Sequence, residues 1–231
     1  MKDGRTASLE KVGIAIADRM RDGSLVGLGS GTTMASILPT ISKRLKKRDV
    51  RVKWVPTSLQ ISLVAQAMRE QTSMIDKPAL DLAVDGADQV DEDLNLIKGG
   101  GGALFREKVL IQNAKRTLIV VDEKKLSGKL CEHDVRVPVE AHPFARVPVA
   151  EALQSLGGEP RLRLGERGFP FYTENGNLVF DVLFKPTSRP GTLEKEIKGI
   201  AGVIESGIFT PAPVEVFVLK EDGSYESRKK S

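Results

Sequence analysis

The sequence predicts an α/β protein: a mostly parallel sheet covered by helices on both faces, joined to a second, smaller α/β unit. Three observations carry that expectation. In the first half, short apolar runs alternate with amphipathic helical patterns, the signature of βαβ units and parallel pairing. Three polar loops, GSGTT, DGAD and DEKK, each follow one of those runs, where open sheets of this kind place ligands. After Cys131 the composition changes, and an Asn-Gly hairpin signal appears among shorter strands.

Taken in order, residues 8–21 put Leu9, Val12, Ile16 and Met20 on one helical face, with Ser8 as N-cap. Asp22-Gly23 ends that helix, and Leu25 to Leu28 is a short buried strand. GSGTT at 29–33 leads into a helix over 34–47 that Pro39 makes irregular. Val50 to Val55 alternates as a strand, and Pro56-Thr57-Ser58 is a turn and cap that opens a helix to about Glu70. Leu80 to Val84 is a third strand with Asp85 at its C-terminal end; a helix over 103–113 and the strand TLIVV at 117–121 follow. Residues 135–150 carry three prolines, and a helix starts at Val149. Strands are expected at 162–164 and 169–172, with Asn175-Gly176 turning the chain into LVFDVLF at 178–184. A helix over 193–200 and a strand VEVFVL at 214–219, returning to the first sheet, complete the pattern.

Composition narrows the function classes. At 231 residues there is room for one large or two small domains. Lysine and arginine total 35 against 31 acids and are spread among them, so no nucleic-acid surface is expected. The only dense basic run, RKK at 228–230, reads as a solvated tail. The lone Cys131 excludes an internal disulfide and a cysteine-based zinc cluster. His133 and His142 lack metal-ligand spacing and read as loop residues, while Trp54 reads as core. The first twenty residues hold no apolar signal-peptide region, and no window approaches the roughly eighteen uninterrupted apolar residues of a membrane span. The expected compartment is the cytoplasm.

The chemistry concentrates in DGADQVDEDLNLIKGGGGALFREK, Asp85 to Lys108. Each glycine loses more conformational freedom on folding than any other residue, so four in a row are kept where backbone must approach a ligand or offer its N–H groups to an anion. A flexible linker would not be flanked by apolar Leu96-Ile97 and Ala103-Leu104. Lys98 adds a full charge beside those donors, and Glu107 supplies a base about one helical turn further on. On a bare helix Glu107, between Arg106 and Lys108, would be a surface charge; the glycines argue for a crevice instead. Asp85 and Asp88 form either an Asx-capped turn or a pair of carboxylates that handles hydroxyl protons. The acidic run Asp91, Glu92, Asp93, Asn95 fails as a calcium loop, because Leu96 stands where glycine is needed and Gly102 where the bidentate glutamate belongs; it reads as a solvated loop. GSGTT is either a tight βα turn or a phosphate cradle with Ser30, Thr32 and Thr33 as hydroxyl donors. It lacks the lysine of a Walker loop and the last glycine of the dinucleotide fingerprint. Lys124 and Lys125 are surface charges, or one of them faces a phosphate.

These motifs in this order resemble ribose-5-phosphate isomerase of type A: GLGSGTT at 27–33, PTSLQ at 56–60, the long central motif at 85–108, VDEKK at 121–125 and TENGN at 173–177. EAHPFA at 140–145 and Glu174 depart from the family's more frequent EVIPMA and aspartate. The resemblance implies a Rossmann-like main domain, placed at 1–131 plus 208–231, and a smaller ferredoxin-like α/β domain at 132–207. It implies interconversion of ribose 5-phosphate and ribulose 5-phosphate in the pentose phosphate pathway, with no cofactor and no metal, in a homodimer or homotetramer. Position by position, Glu107 falls on the family's general base. Ser30, Gly31, Thr32, Thr33, Asp85, Gly86, Ala87, Asp88, Lys98, Gly99, Gly100, Gly101 and Lys125 fall on its substrate contacts. Two rivals stay open from the residues: a CoA-transferase-like enzyme with Glu107 as nucleophile, and a sugar-phosphate sensor without turnover.

Overall fold

The computed structural model describes residues 4–75, 79–211 and 213–230. By backbone contacts the chain divides into two units, one from the described parts of Met1–Gly86, Val109–Lys124 and Pro211–Ser231, the other from Ala87–Lys108 and Lys125–Thr210. The expected division put 87–108 and 125–131 with the first unit and drew its last boundary at 207/208; contacts group those two segments and 208–210 with the second.

In chain order the elements are α1 (Gly4–Ala17), β1 (Leu25–Leu28), α2 (Thr32–Lys47), β2 (Lys53–Pro56), α3 (Leu59–Ala67), β3 (Gln71–Thr72), β4 (Leu82–Gly86), β5 (Gln89–Val90) and β6 (Leu96–Ile97). There follow α4 (Leu104–Gln112), β7 (Thr117–Asp122), β8 (Val137–Ala141), α5 (Arg146–Ser155), β9 (Glu159–Leu162), β10 (Leu178–Leu183), α6 (Pro190–Lys198), β11 (Val203–Ser206), β12 (Ile208–Phe209), β13 (Val214–Leu219) and β14 (Tyr225–Lys230).

The first unit is the expected sheet flanked by helices. Its seven strands run β14-β13-β7-β4-β1-β2-β3, and every pair is parallel except β13 with β14. β1, β7 and β13 are buried almost throughout, as strands covered on both faces must be. Val12, Ile16, Met34, Ile37, Ile41, Trp54, Val84, Leu118 and Phe217 share one core. α1 starts earlier than expected, at Gly4, so Ser8 is no cap. It is buried inside the helix, with its hydroxyl 2.7 Å from the carbonyls of both Lys220 and Ser224. Ser58 does cap α3, accepting from the Ile61 N–H.

The basic tail is a strand. β14 pairs with β13 from Tyr225 to Lys230, and its burial alternates along its length. Arg228, Lys229 and Lys230 therefore lie on a sheet edge, where charge discourages pairing with another chain.

The second unit carries a four-stranded antiparallel sheet in the order β11-β8-β10-β9, reached in the chain order β8-α5-β9-β10-α6-β11. That βαββαβ path is the ferredoxin-like one. Val137, Val139, Val149, Leu153, Phe180 and Ile197 form its core. The prolines at 135–150 hid β8 from sequence reading. Pro138 is tolerated in this central strand because its carbonyl, and with it its nitrogen, faces past the last β11 pair, where the Gly207 N–H donates to it at 2.6 Å. The strand expected at 169–172 is not one; Pro170 and Tyr172 make isolated bridges only.

A small sheet, β12-β6-β5, completes this unit. The acidic run between β5 and β6 is not wholly solvated. Asp91 and Asn95 are buried, and the Asp91 carboxylate accepts from the Asn95 N–H at 2.7 Å and the Asn95 amide at 2.8 Å. Burial pushes the Asp91 carboxyl above its ordinary range against those two bonds. Only Glu92 and Asp93 face solvent.

Candidate active site

The loop after β1 in the first unit is laced to the loop after β2 by hydroxyls. Ser30 Oγ lies 2.6 Å from both Thr57 Oγ1 and Ser58 Oγ. Thr57 N–H and Oγ1 both donate to Leu28 O, and the Gly31 N–H donates to Gln60 Oε1 at 3.3 Å. Gly31 has φ 94°, so glycine is required there by conformation. It stands at the N-cap of α2 and supplies no side-chain cap, so the first N–H groups of that helix face outward beside the Thr32 and Thr33 hydroxyls. A helix start of that kind favours an anion.

Asp85 closes the same neighbourhood. It is buried at the end of β4 and accepts from the Gly86 N–H at 2.7 Å. A Cβ on Gly29 would stand 2.0 Å from the Asp85 carboxylate, so the glycine is there to admit that side chain. Sequence reading treated Gly29 as part of a turn and missed this reason for it.

In the second unit the glycine run is shaped by three separate demands. Gly99 and Gly102 have φ of 106° and 79°. A Cβ on Gly102 would meet the Phe171 ring at 2.6 Å, and one on Gly99 would meet Leu104 at 2.9 Å. Gly100 donates its N–H to Asp88 Oδ2 at 2.9 Å. Gly101 has open space around it and no left-handed φ. Its own chain does not require glycine at that position.

Lys98 and Glu107 are both buried, and Nζ lies 3.0 Å from Glu107 Oε2. The contact is an ion pair, and no further partner of that oxygen occurs among the described residues. Glu107 sits in the first turn of α4, where the helix dipole favours its charge. Its neighbour Lys108 is buried too and is occupied elsewhere: Nζ contacts Glu194 at 2.5 Å, Glu205 at 3.1 Å and the Ile208 carbonyl at 2.6 Å. Phe209 lies under both ammonium groups, 5.6 Å from Lys98 and 4.5 Å from Lys108.

Comparison with known proteins decides the family. A model of the family "Ribose 5-phosphate isomerase A (phosphoriboisomerase A)" matches residues 53–223. The ribose-5-phosphate isomerase A of Thermosynechococcus vestitus is 46% identical over 198 residues, 84% of each chain. The solved ribose 5-phosphate isomerase A of Methanocaldococcus jannaschii superposes with TM-score 0.89 at 36% identity, over 96% of this chain and 98% of that one. A D-ribose-5-phosphate isomerase solved with phospho-erythronic acid superposes with TM-score 0.91 at 33% identity, over the full length of both.

This chain belongs to the ribose 5-phosphate isomerase A family. Within it, TENGN at 173–177 is a turn anchored from below. The buried Glu140 accepts through Oε1 from Thr173 Oγ1 at 2.9 Å, Asn175 Nδ2 at 3.1 Å and Asn177 Nδ2 at 2.9 Å. Asn175 and Glu174 in turn hold the Arg106 guanidinium, at 3.0 and 2.7 Å. Glu174 keeps the carboxylate that the family more often places on aspartate, one methylene further out. The residue before Glu107 is thus fixed by the turn, a link that no local pattern in the sequence announces.

Lys124 is exposed and Lys125 half-buried, in the short 3-10 turn Glu123–Lys125. His133 is exposed, and His142 accepts from the Phe144 N–H, as loop residues do. No group of three or more His, Cys, Asp or Glu side chains suited to a metal occurs among the described residues. A cavity of about 670 Å³ in the first unit, lined by Lys46, Asp49, Arg51, Arg69 and Glu70 among others, sits where β2 and β3 begin. Ligands of such sheets bind at the opposite strand ends, so it is not the candidate. No helix among the described residues is long and apolar enough to cross a membrane.

Proposed function

We propose that this chain interconverts D-ribose 5-phosphate and D-ribulose 5-phosphate, with Glu107 carrying a proton between C2 and C1 through a cis-enediolate. The observation that carries the reading is the buried Glu107 carboxylate, whose Oε2 has the Lys98 ammonium, 3.0 Å away, as its one partner among the described residues.

Glu107 takes the proton from C2 of the open-chain aldose. The C–H electron pair becomes the C1=C2 bond, and the carbonyl electrons move to O1. Lys98 and the glycine-run backbone, with the Gly100 N–H holding Asp88 and the Gly99 and Gly101 N–H groups beside it, supply the fixed positive field that a developing oxyanion needs. The proton then returns from Glu107 to C1, while the hydroxyl proton leaves O2 and O1 gains one. Asp85 and Asp88 share that oxygen-to-oxygen transfer and ring opening, with the Gly86-Ala87 backbone between them. Ser30, Gly31, Thr32 and Thr33, with Lys125, grip the phosphate and supply binding energy remote from the reacting carbons. Phospho-erythronic acid, the ligand of the related isomerase, carries a carboxylate where the enediolate charge would form, which supports this assignment.

The same reading makes the enzyme metal-independent, cytoplasmic, a homodimer or homotetramer, and a member of the pentose phosphate pathway. The test is a ribulose-forming assay on ribose 5-phosphate. Glu107→Gln should lower kcat by about 10²–10⁴-fold, the usual worth of a general base. Near-normal turnover by the folded variant removes Glu107 from the role. Activity should persist in EDTA; a loss restored by one divalent ion would overturn the metal-free mechanism.

A further inference from the structure

Arg163 lies outside every motif discussed so far, yet its guanidinium is spent on the glycine run. Nη1 donates to the carbonyls of both Gly99 and Gly100, each at 3.0 Å. Nε donates to Asp181 Oδ2 at 2.8 Å, and Nη2 pairs with Asp181 Oδ1. The side chain is mostly buried, at 14% exposure, and the guanidinium lies 5.6 Å from the centre of the Phe171 ring, the ring that also occupies the space over Gly102. The backbone of Arg163 is itself tied down, its N–H to Val179 O and its carbonyl to the Phe171 N–H.

A planar trans peptide points its N–H opposite to its C=O. Fixing the Gly99 carbonyl therefore fixes the Gly100 N–H, and fixing the Gly100 carbonyl fixes the Gly101 N–H. The first of these is visible: the Gly100 N–H meets Asp88 on the far side. The second, on Gly101, makes no hydrogen bond among the described residues and is turned away from Arg163. The Gly99 carbonyl also accepts from the Gly102 N–H at 3.0 Å, so the Gly99–Gly100 peptide is held without Arg163. The Gly100 carbonyl accepts from Arg163 alone among the described residues, and glycine's wide backbone freedom would let the Gly100–Gly101 peptide flip without that clamp. Because Asp181 neutralises the guanidinium, the clamp contributes direction rather than net charge. Arg is suited to this task and Lys is not, since a single ammonium cannot span a carboxylate fork and two carbonyls in one plane.

We propose that Arg163, seated on Asp181, is a positioning residue that, through the Gly100 carbonyl, pre-aims the Gly101 N–H at the substrate oxygen that becomes negative. The proposal rests on the isomerase reading above and names the device that sets one of its backbone donors. It predicts a loss specific to the charged intermediate. Arg163→Lys should keep KM for ribose 5-phosphate within about threefold, lower kcat by roughly 10–10²-fold, and weaken inhibition by phospho-erythronic acid by the same factor. That is somewhat less than removal of an oxyanion donor outright. Asp181→Asn, which keeps the carbonyl bonds but loosens their anchor, should show a smaller loss in the same ratio.

Thermal melting is measured on each variant alongside the kinetics. Arg163→Lys with wild-type kcat and wild-type affinity for phospho-erythronic acid overturns the proposal. So does a pair of variants that lose melting temperature while the inhibitor-to-substrate affinity ratio stays at the wild-type value, since that is a structural role alone. Failure of the underlying reading looks different: Glu107→Gln would then turn over normally, whatever Arg163 does.

Discussion

The parallel-sheet unit and the unit around the glycine run bury different things. Among the described residues, the buried charged side chains of the first are two, Asp85 and Glu215, while the second buries Asp91, Lys98, Glu107, Lys108, Glu140 and Glu205. The first is held by an apolar core centred on its strands. The second spends part of its interior on charges that must find partners, because an unpaired buried charge costs several kcal/mol. On the proposed mechanism the difference separates two tasks. Gripping a phosphate needs only backbone N–H groups and hydroxyls at a helix start. Stabilising a transient carbanion needs charge held in a low-dielectric place before the substrate arrives. Substitutions of charge should therefore act far more strongly in the second unit than in the first.

The largest effect is expected at Lys108. Lys108→Met leaves Glu194 and Glu205 without their common cation and the Ile208 carbonyl without its donor. Removing one partner of a buried ionic cluster costs about 3–5 kcal/mol. Urea unfolding should show that loss; a variant within about 1 kcal/mol of wild type would erase the contrast. Next comes Lys98→Met, which should lower kcat by about 10²–10³-fold, the worth of one oxyanion-stabilising group. Kinetics in which only KM rises would move Lys98 from the chemistry to ground-state binding.

Glu215 tests the other side. Burial works against its charge, but the Ser227 hydroxyl, the Arg19 guanidinium and Lys229 outweigh it and hold the carboxyl below its ordinary range. Arg19 reaches it at 2.7 Å and Ser227 at 2.8 Å, tying β13 to β14 and to the turn after α1. A depressed folded pKa means stability that is present above the unfolded value and lost as pH falls through the folded one. Glu215→Gln should thus cost about 1–3 kcal/mol at pH 7, as hydrogen bonds to a charged group do. The gap to wild type should narrow below a pH of about 4. A gap that stays constant with pH would mean that packing, and not charge, is what Glu215 supplies.

Much of this was legible in the chain. The βα alternation gave the sheet because parallel strands buried on both faces read as apolar runs, and Leu25–Leu28 and Thr117–Asp122 are such runs. The charged and glycine-rich motif stood out as the candidate site because few structural needs call for lysine, four glycines and glutamate together, and the structure buries Lys98 against Glu107. What escaped was non-local. Pro138 disguised a central strand whose tolerance depends on where β11 stops. RKK at 228–230 looked like a tail and is the end of the strand Tyr225–Lys230, because an edge strand is allowed to be polar on one face and charged at its end. Arg163 carries no motif; its role is set by carbonyls 63 and 64 residues away. Asp91 seemed one acid among several until a buried turn closed on Asn95.

The smallest effect on stability is also the sharpest probe of the glycine run. Gly99 and Gly102 are held in left-handed backbone with side chains packed over them, so alanine at either strains the chain and collides with Leu104 or Phe171. Gly101 faces neither constraint. Gly101→Ala removes freedom from the unfolded chain and should leave stability unchanged or raise it by about 0.4–1 kcal/mol. If the substrate lies against this backbone, the added methyl will raise KM and weaken phospho-erythronic acid in a protein that melts no lower than wild type. If it does not, the variant will be a slightly more stable enzyme with unaltered kinetics, and the glycine at 101 will have no part in binding. The two outcomes separate a residue kept for the fold from one kept for the ligand, which is the same division that distinguishes the two units.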